Sequence, residues 1–232
     1  NRILTWTPEG IEYEADPRHA EIVIEELGLK EAKGVTTPGT KEEGRTKEDC
    51  EEPLDLEKAT AFRSIAARLN YLAADRPDIA YAVKEVARTM SAPMKGCWDR
   101  LKRLGRYLLH SPRLVTKFTW QSTPSEVTIY TDADWAGDKV SRKSTSGGCL
   151  MLGKHVVKTW SKTQSLIALS SGESEFYAAL KASAEGLGLI SMMKDFGWTA
   201  AGQVLGDASA ALGIIHRKGL GRTRHIDTGL LW

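Results

Sequence analysis

The chain has 232 residues, 41% of them hydrophobic, with 32 Lys and Arg against 30 Asp and Glu for a formal net charge of +2. That apolar content can fill one large core or two small ones, and no run of it approaches the ~20 residues that span a bilayer. No secretory signal opens the sequence, it starts at Asn1 as a fragment would, and Cys50, Cys97 and Cys149 are too few and too scattered for a disulfide framework or a zinc site.

Such cysteine usage fits a reducing, intracellular setting. The small net charge hides an uneven layout. The stretch from Glu9 to Glu57 is acidic, whereas Arg63 to Lys117 is basic, with Arg100, Lys102, Arg103 and Arg106 densest. Any one of these cations reads as part of a solvated helix face. As a cluster they read as a surface for phosphate, with Lys102, Arg103 and Arg106 as its candidates.

In chain order, Ile3 to Trp6 and Ile11 to Glu14 flank Thr7-Pro8-Glu9-Gly10, a type I turn signature, and predict a hairpin. Asp16-Pro17 opens a helix whose apolar stripe is Ala20, Val23, Ile24 and Leu27, with Gly28 where it stops. This hairpin and helix make up residues 1–35. Residues 36–55 hold Pro38, Gly39 and Gly44 among many charges and predict an exposed linker. Residues 56–112 predict a helical subdomain of three helices, carried by Phe62, Ile65 and Leu69, then by Val83 and Val86, then by Leu101, Leu104 and Leu108, with breaks at Arg76-Pro77-Asp78 and Ser91-Ala92-Pro93.

Residues 113–232 predict an α/β domain. Leu114 to Trp120 reads as an extended segment or edge strand feeding a central strand at Val127 to Tyr130, which ends in Thr131-Asp132-Ala133-Asp134. A polar, basic loop leads to a second strand at Gly147 to Leu152, and Gly153-Lys154 closes a hairpin to a third at His155 to Trp160. From Glu173 to about Asp195 the composition predicts a helix of about 35 Å at 1.5 Å per residue. Its small stripe of Ala179, Ala182 and Gly186 continues from Glu175, so a helix lying close on the sheet holds Glu175 at its N-terminal end. Gln203 to Gly206 then reads as a short strand ending in Asp207, followed by a short helix.

Asp132, Glu175 and Asp207 are thus expected at a strand end, a helix start and a second strand end, where carboxylates distant in sequence can meet. Three such groups repel unless divalent cations neutralise them, and hard oxygen ligands call for Mg²⁺ or Mn²⁺. Two of them have a plainer reading as well, Glu175 as an exposed helix carboxylate and Asp207 as a helix cap, and the nearby Asp134 reads as a turn residue or as an acid behind the metal ligands. Glu173, two residues from Glu175, reads as an exposed acid complementing the helix dipole.

The run Tyr130-Thr131-Asp132-Ala133-Asp134-Trp135-Ala136-Gly137 is followed in order by Arg142 to Gly147, Ser161 to Gln164, Leu169 to Tyr177, Gly206 to Ala210 and Arg224-His225-Ile226-Asp227. This series resembles the ribonuclease H domain of copia-type LTR retrotransposon Pol polyproteins. The upstream runs Leu69-Asn70-Tyr71-Leu72, Arg76-Pro77-Asp78-Ile79-Ala80 and Leu104-Gly105-Arg106-Tyr107-Leu108 resemble the stretch that follows the reverse transcriptase palm, a thumb or connection-like region. No Tyr-x-Asp-Asp polymerase signature occurs in the chain.

The resemblance implies a ribonuclease H-like mixed sheet with flanking helices, preceded by the small helical subdomain. It implies a hydrolase that cuts the RNA strand of RNA/DNA hybrids with two Mg²⁺ or Mn²⁺ ions on Asp132, Glu175 and Asp207, working beside the remainder of the Pol polyprotein. It also implies that a fourth carboxylate comes downstream of Trp232, so that the domain is truncated at its C-terminus, the chain alone is a poor enzyme, and Asp227 is structural. Arg142, Lys143, Ser144, Thr145 and Gln164 become candidates for phosphate and 2′-hydroxyl contacts, with an ordinary solvated loop as the plainer reading. The alternative is a non-catalytic remnant that binds nucleic acid through its basic helices.

Overall fold

The computed structural model describes residues 2–40 and 52–216. These residues form an α/β structure with a three-stranded sheet, a four-stranded sheet and six helices. The chain divides into two units, Asn1–Trp120 and Gln121–Trp232. Among the described residues no helix is long and apolar enough to cross a membrane.

In the first unit, strands β1 (Arg2–Thr7) and β2 (Gly10–Ala15) pair antiparallel around the expected turn, where the Thr7 hydroxyl accepts from the Gly10 N–H at 3.1 Å. Helix α1 (Arg18–Glu26) follows, with the Asp16 carboxylate accepting from Arg18 N–H and Gly28 in the left-handed region at φ 64°. Strand β3 (Val115–Thr119) then pairs with β2. The extended segment expected to feed the second sheet is therefore the third strand of the first. Alternating composition marks a strand but does not choose its partner.

Helices α2 (Leu56–Leu72), α3 (Ala80–Ala87) and α4 (Lys95–His110) bury the apolar stripes read from their sequences, and Phe62, Ile65, Leu69, Val83, Leu101, Leu104 and Leu108 join Val23 and Ile24 of α1 in one core. Asp55 caps α2, its carboxylate accepting from Lys58 N–H at 2.8 Å. The end of the expected linker is docked, since Leu54 N–H donates to Pro93 and Lys95 N–H to Glu52. Residues 41–51 of that linker lie outside the described residues.

The break between α2 and α3 is a fastening point. Arg76, only 1% exposed, donates to both Asp78 carboxylate oxygens and to the carbonyls of Ser111 and Pro112 just past α4. Tyr107 O–H donates to Asp78 at 2.9 Å. The basic run is also largely paired inside this unit: Arg113 with Glu14 at 2.8 Å, Lys117 with Glu12 at 3.0 Å, Arg68 with Glu26 at 3.9 Å, Lys95 with Glu52. Acidic and basic stretches separated along the chain meet in space.

The second unit is built on the sheet β6-β5-β4-β7. Strands β4 (Glu126–Asp134), β5 (Thr145–Leu152) and β6 (His155–Thr163) form an antiparallel series, and β7 (Ala201–Leu205) lies parallel to β4. A parallel neighbour needs a crossover, and helix α5 (Ser171–Asp195) supplies it, packing Ala182, Leu189 and Met193 on Val127, Ile129 and Leu150. The small stripe has its reason at Gly186, where a Cβ would stand 2.7 Å from Ile129 Cδ1. Helix α6 (Ser209–His216) rests on the start of α5, with Ala211 against Phe176.

Candidate metal centre

Strand β4 alternates, burying Val127, Ile129 and Thr131 and exposing Tyr130, Asp132 and Asp134. Asp132 therefore reaches the end of the central strand with its carboxylate in solvent. Ser170 caps α5 by accepting from Glu173 N–H at 3.2 Å, which starts the helix two residues before the first Glu and puts Glu175 in its opening turns. Asp207 follows β7, the parallel neighbour of β4, so the two strands deliver their terminal acids to the same edge.

The three carboxylates meet there: one oxygen from each of Asp132, Glu175 and Asp207 lies within 4.8 Å of the others, the one such cluster of possible metal ligands among the described residues. Glu175 is half-buried, and its Oε1 accepts from Ala133 N–H at 3.2 Å. Burial pushes its carboxyl above the ordinary range, and the charges of Asp132 and Asp207 push it further, against the Ala133 bond that pulls it down. A group of like charges with only oxygen donors matches the ligand set of a hard divalent cation.

Behind the acids, Thr131, Glu175, Ala179, Val204, Leu212 and His216 help to line a cavity of about 240 Å³ between the sheet, α5 and α6. The Asp134 carboxylate lies over Gly137, where a Cβ would sit 1.8 Å from its Oδ2, so Asp134 belongs to the turn. Glu173 is not the exposed acid expected from the helix start. It is 2% exposed, accepting from Leu169 N–H at 2.9 Å and from Tyr177 O–H at 2.9 Å. The loop before α5 folds back over the helix and takes this carboxylate inside.

Of the residues expected to contact nucleic acid, Arg142 is exposed and Lys143 half-buried. Ser144, Thr145 and Gln164 are buried. Ser144 Oγ accepts from Ala136 N–H at 3.0 Å, and Gln164 Nε2 donates to Ser146 Oγ and to the Ser174 carbonyl, so their polar groups hold the frame of the site. In the first unit Lys102 is exposed, whereas Arg103 donates to Thr37 and Arg106 to the Lys33 carbonyl, fastening residues 33–37 to α4. His225, Ile226 and Asp227 lie outside the described residues.

Two contributors went unread in the sequence. Ala133 N–H, which orients Glu175, has no side-chain signature at all. Asp138, buried, accepts from the N–H groups of Val140 and Ser141 and from the Ser141 hydroxyl and so shapes the loop after β4. The signal for it was present, since an Asp opening a polar loop bonds its own backbone two residues on.

Over 142 residues, 61% of the chain, the sequence is 36% identical to the retrovirus-related Pol polyprotein from transposon RE1 of Arabidopsis thaliana, of which this covers 10%. Over 221 residues, 93% of the chain, it is 29% identical to the retrovirus-related Pol polyprotein from transposon TNT 1-94 of Nicotiana tabacum, covering 16% of that protein. It is 30% identical over 178 residues to an uncharacterized mitochondrial protein of Arabidopsis thaliana, covering 72% of it. The chain thus spans a small part of the length of the Pol polyproteins it matches. No family model and no solved structure matches it.

Proposed function

The chain belongs to the family of copia-type retrotransposon Pol polyproteins, and from that premise we propose that its second unit is a ribonuclease H-type endonuclease cutting the RNA strand of RNA/DNA hybrids within the larger polyprotein. The observation that carries this reading is the meeting of Asp132, Glu175 and Asp207 at one sheet edge. The mixed sheet, with an antiparallel series and a parallel strand reached through a long helix, is compatible with a ribonuclease H-like fold.

The residues fit a divalent metal. Glu175 is held above its ordinary pKa range by burial and by two carboxylate neighbours, a state that a cation on Asp132, Glu175 and Asp207 would relieve. Two Mg²⁺ or Mn²⁺ ions bound there would supply a nucleophilic hydroxide from water and offset charge on the leaving 3′-oxygen. The protein's own part is positioning. Ala133 N–H fixes Glu175, the parallel pairing of β4 and β7 brings Asp207 to Asp132, and the close seating of α5 at Gly186 sets the height of Glu175 over the edge.

The test is incubation of labelled RNA/DNA hybrid with the protein and Mg²⁺ or Mn²⁺, beside single-stranded RNA and duplex DNA. The RNA strand of the hybrid alone should be cut, slowly, and best at high Mg²⁺ or with Mn²⁺. Asp132→Asn, which keeps the shape of the side chain, should lower the rate by about 100- to 1,000-fold, the equivalent of several kcal/mol of lost charge stabilisation, with an unchanged circular dichroism spectrum. Full cleavage by that variant would remove Asp132 from the chemistry and with it this reading.

A further inference from the structure

Trp135 follows directly on the acid-bearing strand and is 47% exposed. The ring is nonetheless held in place, because Nε1–H donates to the Ala168 carbonyl at 3.1 Å. With its one polar atom satisfied, what the ring offers to solvent is apolar. The backbone around it is also fixed. Ala136 sits in the left-handed region at φ 52° and Arg142 at φ 59°, a conformation that persists only where surrounding bonds enforce it. Those bonds are present: Ser144 Oγ on Ala136 N–H, the buried Asp138 carboxylate on Val140 and Ser141, and the Asp138 carbonyl on Arg142 N–H at 2.7 Å.

This braced loop presents Lys139 and Arg142 to solvent together with the indole. A rigid aromatic face beside exposed cations is the pairing that a nucleic-acid strand requires, the ring for a base and the cations for phosphates. In a duplex both faces of each base are already stacked, so a free ring finds a base only where the strand is unpaired, at an end, a nick or a gap. Exposed Leu166, Ile167 and Leu169 on the facing loop would by themselves suit a protein surface; the two cations decide for nucleic acid.

We propose that Trp135 is a stacking platform for an unpaired nucleobase beside the acid cluster, with Lys139 and Arg142 meeting the phosphates of the same strand. It rests on the nuclease reading for the class of substrate but not for the cut. The experiment titrates a fluorescent single-stranded oligonucleotide, and an abasic one of equal backbone length, with the full chain while divalent ions are chelated.

Trp135→Ala should bind the normal oligonucleotide about tenfold more weakly with an unchanged salt slope. Trp135→Phe should stay within about threefold of the wild type, and the abasic strand should bind wild type and Trp135→Ala equally. Equal losses on both strands would overturn the proposal, since the indole would then only brace the loop. No loss on either would overturn it too and leave the loop to a protein partner. Because nothing is cut under chelation, failure to cleave hybrid sinks the nuclease reading alone, and base-independent binding sinks this one alone.

Discussion

Arg76 in the first unit and Glu175 in the second are both charged groups drawn partly or wholly out of water, yet their surroundings are opposite. Arg76 is met by the Asp78 carboxylate and two backbone carbonyls. Burial pushes the Asp78 carboxyl up, but the bonds and charge of Arg76, with the Tyr107 hydroxyl, outweigh it and leave the group below its usual range. Glu175 is met by two further carboxylates and one N–H, and its carboxyl is pushed up. The first unit neutralises its charges by folding, whereas the second brings three carboxylates together at one sheet edge, a cluster that could hold a metal ion. Spending charge on the fold is structural; leaving it uncompensated at a sheet edge is what a metal site requires.

Breaking the compensated side should have the largest effect. Arg76→Ala removes one partner of a buried pair and should destabilise the first unit by about 3–5 kcal/mol, read as a lower denaturation midpoint. A loss under about 1 kcal/mol, the size of an exposed pair, would show that the latch between the α2–α3 break and the end of α4 contributes little.

The uncompensated side is sharpened by pH and metal. A carboxyl whose folded pKa lies above its unfolded value costs nothing while neutral in both states. As pH climbs from the unfolded pKa through the folded one, the folded state loses stability, and the loss is complete above it. Glu175→Gln should therefore raise the melting temperature of the second unit at neutral pH and remove that part of its pH dependence. Mg²⁺ should stabilise the wild type by about 2.7 kcal/mol at a hundredfold excess over Kd, and Glu175→Gln much less. Equal stabilisation of both would place the metal elsewhere.

The smallest effect is expected in the basic helix. Arg103 and Arg106 are engaged with Thr37 and Lys33, so replacing both with Ala should cost about 2 kcal/mol of stability, the worth of two ordinary hydrogen bonds. The salt dependence of hybrid binding should not change. A slope shallower by about 0.7 to 0.9 per lost contact would place these side chains on the nucleic-acid surface.

The stripes of α2 and α4, the turn at Thr7 to Gly10 and the small face of α5 were legible because each depends on neighbours within a few residues. The three acids were legible as a set because strand ends and a helix start could be placed from local pattern, and the family order named the same positions. The small stripe that runs on from Glu175 set it apart from Glu173, but the burial of Glu173 could not be read in this way. Both sit on the same opening turns, and which one is taken inside depends on the path of the loop from Ser165 to Leu169, whose backbone reaches Glu173 at Leu169.

Periodicity, caps and turn residues along the chain determined where helices and strands form and which carboxylates stand at their ends, since these are contacts between residues close in sequence. The tertiary structure alone decided that β3 joins β2, that Glu12 and Glu14 meet Lys117 and Arg113, and that Ala133 N–H holds Glu175. Each of these joins residues dozens of positions apart through backbone groups or interchangeable charges. Nothing in their identity selects a partner until packing has brought the two together.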